Sequence, residues 1–235
     1  MKTSKKKVLI LGGSSDIGKE VVKKFLQNDI YKIDLHYNSN LKTIKNLKNM
    51  CNLIKADLSK SNYKNTLKKF DRNYDIIINL VGYINNKSFE KFTIESLEKT
   101  LRINTLIPLL IIKQSIKKMI KNKWGRILNS SSVGVKFGGG SQTFEYSFSK
   151  HMNEFIPSYI KKIADKNVYY NVVKIGLTNT KIHKKISNKN LDKRTKFLPI
   201  KKMANPHDIA DYIYYLSSDK NQFITNEIIN ITGGE

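Results

Sequence analysis

Three times in this chain a tyrosine stands four residues before a lysine: Tyr83 and Lys87, Tyr146 and Lys150, Tyr170 and Lys174. A free phenol titrates near ~10. A lysine ammonium held beside it favours the phenolate and lowers that value toward neutrality. Such a phenol can give or take a proton at cellular pH. The spacing alone selects none of the three, because the chain is rich in both residues. Local structure does. On a helix, residues i and i+4 are neighbours. On a strand, four residues span roughly 13 Å, so the two groups cannot share a proton field. Tyr170 and Lys174 fall in the apolar strand expected over 168–175. Tyr83 and Lys87 fall in a loop, around Asn85 and Asn86. Tyr146 and Lys150 fall in a helix expected from about Thr143 to Asp165.

Two further stretches carry chemistry. Residues 126–130 read as a strand that runs into Ser131 and Ser132, and hydroxyls at such an edge can hold a carbonyl or alkoxide oxygen. Near the start, Gly12-Gly13-Ser14-Ser15-Asp16-Ile17-Gly18 joins an apolar strand to an amphipathic helix. Glycines there let backbone approach a pyrophosphate, and the helix N-terminus supplies free N–H groups. Asp16 can also cap that helix.

Elements in alternation must position these residues. Strands are expected over 7–11, 32–37, 52–55, 74–80, 126–130, 168–175 and 227–231. Helices are expected over 17–27, from a Ser59 cap to Phe70, over 94–121, over 143–165, and from Pro206 to Leu216. Buried strands alternating with helices mean a parallel sheet covered on both faces.

Composition narrows the function classes. The single cysteine, Cys51, excludes an internal disulfide and a multi-cysteine metal site. The four histidines lie far apart, so no metal site is expected. The apolar runs are too short for a signal peptide core or a membrane span, which predicts a cytoplasmic protein. Forty-three Lys and Arg against 19 Asp and Glu leave a net charge of +24. The basic residues are spread along the chain, as an AT-rich genome would encode. An anionic substrate, an acidic carrier protein or nucleic acid are the functional readings.

Taken in order, these motifs resemble those of the short-chain dehydrogenase/reductases over essentially the whole chain. The glycine loop resembles that family's GxxxGxG, with Asp16 in place of the middle glycine. Asp57-Leu58 is similar to its adenine-contacting pair, and Asn79-Leu80-Val81-Gly82 to its NNAG. Asn104 matches its helix asparagine, and Tyr146-Ser147-Phe148-Ser149-Lys150 its catalytic motif. Ile175-Gly176-Leu177-Thr178-Asn179-Thr180 resembles PGxxxT with isoleucine for proline, and the tail Ile231-Thr232-Gly233-Gly234 its closing strand. Ser132 lies 14 residues before Tyr146, one more than is common, so the Gly138-Gly139-Gly140 loop is expected to bulge.

The resemblance implies an α/β, three-layer Rossmann fold with a doubly wound, parallel, seven-stranded sheet. Residues 1–235 would form one NAD(P)-binding domain with a substrate lid at about 181–204. It implies hydride transfer between NAD(P)H and a carbonyl/alcohol pair. Tyr146 would be the proton donor in reduction, Ser132 would orient the substrate oxygen, and Lys150 would lower the tyrosine pKa and bind the nicotinamide ribose. Asn104 would hold a water that relays protons to Lys150. Cofactor contacts would come from Gly12, Ser14, Ser15, Asp16, Ile17 and Gly18, then Tyr37, Asn38 and Ser39, then Asp57 and Leu58. Asn79, Val81 and Gly82, Tyr146 and Lys150, and Ile175, Thr178 and Thr180 would complete them.

NAD selectivity usually needs an acid at the end of the second strand. Here that end reads Leu35-His36-Tyr37-Asn38-Ser39, and Asp34 lies within the strand, so NADP(H) is favoured over NAD(H). The stretch 183–203 holds Lys184, Lys185, Lys189, Lys193, Arg194, Lys196, Lys201 and Lys202 against Asp192 alone. That suggests a small carbonyl substrate that is anionic or carried on acyl carrier protein, with a 3-oxoacyl thioester as the leading candidate. A sugar or nucleotide sugar is the alternative, and a non-catalytic dinucleotide or nucleic-acid binder the distant one. Family analogy implies a homotetramer or dimer.

Overall fold

The computed structural model describes residues 5–186 and 190–235. Strand β1 (Lys6–Leu11) carries the buried run Val8 to Leu11 into the glycine loop. Helix α1 (Asp16–Leu26) follows, then β2 (Tyr31–Tyr37), β3 (Asn52–Lys55), α2 (Tyr63–Lys68) and β4 (Ile76–Asn79). Helix α3 (Ile94–Leu101) leads through a π-helical turn (Arg102–Leu106) into α4 (Ile107–Lys121). Next come β5 (Gly125–Ser132), α5 (Phe144–Met152), α6 (Ser158–Lys162) and β6 (Val168–Ile175). The chain closes with α7 (Leu191–Phe197), α8 (Pro206–Ser217) and β7 (Ile228–Ile231).

The seven strands form one parallel sheet in the order β3-β2-β1-β4-β5-β6-β7. Strand alternation sends Val8 and Ile10 to one face and Leu9 and Leu11 to the other. On the first face they pack with Val21, Val22 and Phe25 of α1 and Ile209 and Ile213 of α8. On the second they pack with Ile107, Ile111, Ile112 and Met119 of α4. Each such side chain contributes about 1.5–3 kcal/mol on burial. The result is a doubly wound, three-layer Rossmann fold. The order reverses between β1 and β4, which opens a crevice at the carboxyl ends of those strands. No helix among the described residues is long and apolar enough to cross a membrane.

The expected elements differ from the observed ones at three helices, each for a local reason. The helix expected over 94–121 is interrupted by the π-turn. Pro108 has no N–H, so it cannot close a helical bond on the Asn104 carbonyl four residues back. The helix expected over 143–165 ends at Met152 and restarts at Ser158. Pro157 bears the same relation to Asn153, and a residue before proline avoids the helical region. Ser59 does not cap α2. Its backbone N–H donates to Asp57 Oδ1 (2.9 Å) in a turn, and the helix begins at Tyr63.

Candidate active site

The crevice holds a cleft of about 750 Å³. Its floor is the glycine loop. Gly12 has a positive φ of +74°, and a Cβ there would lie 2.9 Å from the Leu80 carbonyl. A Cβ at Gly18 would lie 2.6 Å from the Gly12 carbonyl, so Gly18 serves the packing of α1 under the loop rather than lining the cleft. Ser15, not Asp16, caps α1: its side chain accepts the Gly18 N–H at 3.0 Å. Asp16 instead accepts the Lys181 backbone N–H (2.8 Å), tying the glycine loop to the start of the expected lid.

Ser14, Ser15, Asp16 and Ile17 line the cleft with Gly12, and so do Tyr37, Asn38 and Ser39 from the end of β2. Asp57, Leu58, Val81, Gly82, Ile175, Thr178 and Thr180 line it as well. Asn79 does not. It is fully buried, donates to Asn129 Oδ1 (2.7 Å) and accepts from the Val81 N–H (3.2 Å), so it shapes the turn after β4. Asp34 stays inside β2, held by the Tyr74 hydroxyl (2.7 Å) and the Asn52 amide (3.0 Å).

Ser132, Tyr146 and Lys150 meet in this cleft. β5 runs two residues past the expected end, which puts Ser132 at its last position, paired with Ile175 of β6. One turn of α5 separates Tyr146 from Lys150, whose Nζ lies 5.8 Å from the phenol ring centroid. Lys150 is almost wholly enclosed and donates to the Val81 carbonyl (2.8 Å), the Ser130 carbonyl (3.1 Å) and Ser130 Oγ (2.9 Å). Burial pulls its pKa down to about 7. The Tyr146 phenol is pushed up to about 12 by burial, with a hydrogen bond from Ser132 working in the opposite direction. The spacing predicted a phenol lowered toward neutrality. Burial prevails at the phenol, and the Lys150 Nζ makes its hydrogen bonds to Ser130 and Val81.

The other two Tyr-x-x-x-Lys pairs are not brought together here. Tyr170 accepts from the Asn129 amide (2.8 Å) in the core, while Lys174 pairs with Glu154 (3.0 Å). Tyr83 is held through its backbone by Asn104.

Asn104 sits in the π-turn, fully buried and outside the cleft lining. Its Oδ1 accepts from the Tyr83 N–H (2.8 Å), and its Nδ2 donates to the Tyr83 carbonyl (3.0 Å) and to Ser149 Oγ (2.8 Å). Its backbone carbonyl accepts from the Asn153 amide at 3.2 Å. The loop of Gly138 to Gly140 turns out through two left-handed residues, Gly138 (φ +65°) and Gly139 (φ +92°), as the longer Ser132–Tyr146 spacing requires.

Sequence reasoning missed three residues of this site. His36 supports the glycine loop from below, accepting the Gly12 N–H on Nδ1 (3.1 Å) and donating from Nε2 to the Ala56 carbonyl (3.0 Å). Its burial lowers its pKa to about 4, which keeps the ring neutral and fixes this tautomer. Glu145, beside Tyr146, is buried and accepts from the Asn85 amide (3.1 Å) and the hydroxyls of Ser96 and Thr100. Asn153 donates to both Asn104 and Ser130. Their signals were a histidine at a loop-facing strand end, an acid beside the motif tyrosine, and a polar residue at the helix break.

Among known proteins, the sequence profile of the short chain dehydrogenase family matches residues 6–191. The chain is 32% identical over 161 residues to the 3-oxoacyl-[acyl-carrier-protein] reductase FabG of Aquifex aeolicus, covering 68% of this chain and 64% of that protein. It is 28% identical to the FabG of Buchnera aphidicola subsp. Schizaphis graminum, over 100% of this chain and 98% of that one. Among solved structures it superposes on ElxO with NADP bound, with a TM-score of 0.78, 25% identity and 98% of both chains covered. The strand order and the match across most of the sequence agree, and the chain belongs to the short chain dehydrogenase family of oxidoreductases.

Proposed function

We propose that the protein uses NADPH to reduce the 3-oxo group of an acyl thioester to a secondary alcohol. The observation that carries this reading is the meeting of Ser132, Tyr146 and Lys150 in the cleft that the glycine loop floors. The relatives named as 3-oxoacyl-[acyl-carrier-protein] reductases support the substrate class.

The residues fit a dinucleotide. Side-chain-free backbone at Gly12 and the capped start of an eleven-residue helix suit a pyrophosphate. Asn38, Ser39, Asn40 and Thr43 offer neutral polar groups where the adenosine ribose would lie, with no acid to repel a 2′-phosphate. Asp57, two residues after β3, lines the same cleft. The ElxO structure, which carries NADP, supports the same preference.

When bound, NADPH supplies the hydride. Ser132 Oγ donates to the substrate carbonyl oxygen and holds it beside the Tyr146 hydroxyl. The high phenol pKa keeps the proton on Tyr146 until charge develops on that oxygen, and the phenol then delivers it. Lys150, as a cation, stabilises the phenolate left behind. Asn104 fixes the loop after β4 through Tyr83 and so sets where Val81 and Gly82 meet the ligand. The region 181–204 acts as a lid; its residues 187–189, including Lys189, and the side chains of Lys184 and Lys185 lie outside the described residues. The exposed apolar residues Leu106, Leu109, Phe148 and Met152 along the π-turn, α4 and α5, with Phe155 just beyond α5, suit assembly of several copies.

The test is NADPH absorbance with a panel of 3-oxoacyl thioesters, free and carrier-bound, beside nucleotide sugars. Turnover of the thioesters is expected. Turnover of nucleotide sugars alone overturns the substrate class.

A further inference from the structure

The Lys150 ammonium has three N–H donors. Two go to backbone carbonyls, of Val81 and Ser130, and the third goes to Ser130 Oγ at 2.9 Å. That hydroxyl is the one side-chain acceptor of this ammonium among the described residues. Ser130 is 3% exposed and Lys150 2%. A buried cation without a carboxylate partner depends on each acceptor it has.

The surroundings offer no substitute. From its own helix Lys150 faces Tyr146. From β5 it faces Ser130 and Ser132, and from the loop after β4 the Val81 carbonyl. From the π-turn comes Asn104, whose amide is taken by Tyr83 and Ser149. The nearby acids are engaged elsewhere. Glu145 holds Asn85, Ser96 and Thr100, and Glu154 holds Ser131 and Lys174. The Ser130 carbonyl is itself fixed: Asn153 Nδ2 donates to it at 3.2 Å and to the Asn104 carbonyl at 3.2 Å.

We propose that Ser130 is a positioning residue for proton transfer, its hydroxyl holding the Lys150 ammonium in its charged form while Asn153 fixes the strand end that presents it. This rests on the reading of Tyr146 and Lys150 as the proton-transfer pair. Ser130 acts on the chemistry through Lys150.

The experiment is the pH profile of kcat for the full-length enzyme and for Ser130→Ala, Ser130→Cys and Ser130→Thr, with NADPH affinity and thermal melting followed in parallel. Removing the hydroxyl destabilises the cation, so its titration moves down in pH. In Ser130→Ala the alkaline limb is expected about one unit lower, and kcat at pH 8 about tenfold lower. The KM for NADPH stays within about twofold. Ser130→Cys, nearly isosteric and a poor acceptor, serves if the alanine variant melts early, and should show the same shift. Ser130→Thr keeps the hydroxyl and should restore the profile. An unshifted limb in both Ala and Cys variants, or one in which kcat falls equally at every pH, overturns the proposal. Tyr146→Phe separates the two levels. If it stays active, the underlying reading fails; if it is inactive while the Ser130 variants titrate like the parent, only the role of Ser130 fails.

Discussion

The Nδ1 of His36 accepts the backbone N–H of Gly12 at 3.1 Å, so one neutral imidazole joins β2 to the loop that floors the cleft. The ring is 4% exposed. Replacing it by alanine leaves the Gly12 N–H and the Ala56 carbonyl without partners. About tenfold weaker NADPH binding is expected, from the ~1–3 kcal/mol cost of an unsatisfied buried group. A fluorescence titration measures it.

The same ring makes stability depend on pH. Burial lowers its pKa from 6.5 to about 4. The unfolded chain therefore binds more protons between those values, and stability rises with pH there. The contribution is full above 6.5 and is lost as pH falls toward 4. It is on the order of 3 kcal/mol at ~1.4 kcal/mol per unit. Urea unfolding at several pH values should show this slope in the parent and a flatter one in His36→Asn.

Tyr146→Phe removes the proposed proton donor and leaves the ring against Gly82. A fall in kcat of about 10²- to 10⁴-fold is expected, with NADPH affinity within about threefold. Near-normal turnover would remove Tyr146 from the chemistry.

Gly12→Ala forces a Cβ to within 2.9 Å of the Leu80 backbone at a φ of +74°. Backbone cannot yield there as a side-chain tip can. The variant should melt earlier, by an amount matching about 1–3 kcal/mol of strain, and should lose most dinucleotide affinity. Calorimetry and a binding titration read the two effects separately.

Glu145→Ala strands the Asn85 amide and the hydroxyls of Ser96 and Thr100 in a buried site. About 2–4 kcal/mol of stability should go, and kcat should fall because the first turn of α5 carries Tyr146. Glu145→Gln, which keeps an acceptor oxygen, should recover much of both.

Lys193, Lys196 and Lys202 are exposed within the proposed lid, residues 181–204. Changing all three to glutamine should raise the KM for a carrier-bound thioester about tenfold and leave that for a short free thioester unchanged, since charge at a rim acts on encounter. Equal KM values for both substrates in parent and variant would rule out a carrier-docking role.

The strands and the pair Tyr146–Lys150 were legible in the sequence because each rests on a local rule: apolar runs for buried strands, and i to i+4 neighbours for helical pairs. The glycine loop was legible for a similar reason, since Gly12 and Gly18 have fixed steric duties. The two helix interruptions were not. Pro108 and Pro157 were visible, but what each freed carbonyl meets depends on tertiary contact, as Asn104 with Asn153 shows. His36 escaped because strand alternation says which face a residue takes and not which loop arrives above it. The Tyr146 pKa went the other way because spacing supplies a neighbouring lysine but not the depth of burial, and burial raises the phenol.

Helix α5 is nine residues long and is secured at both ends. Glu145 ties its first turn to α3, and Asn153 ties its end to β5 and the π-turn. The proposed proton-transfer pair, Tyr146 and Lys150, therefore rides a short strut clamped at either end. Neither clamp involves the Gly138–Thr143 loop. A change in that loop therefore leaves both clamps of the strut in place.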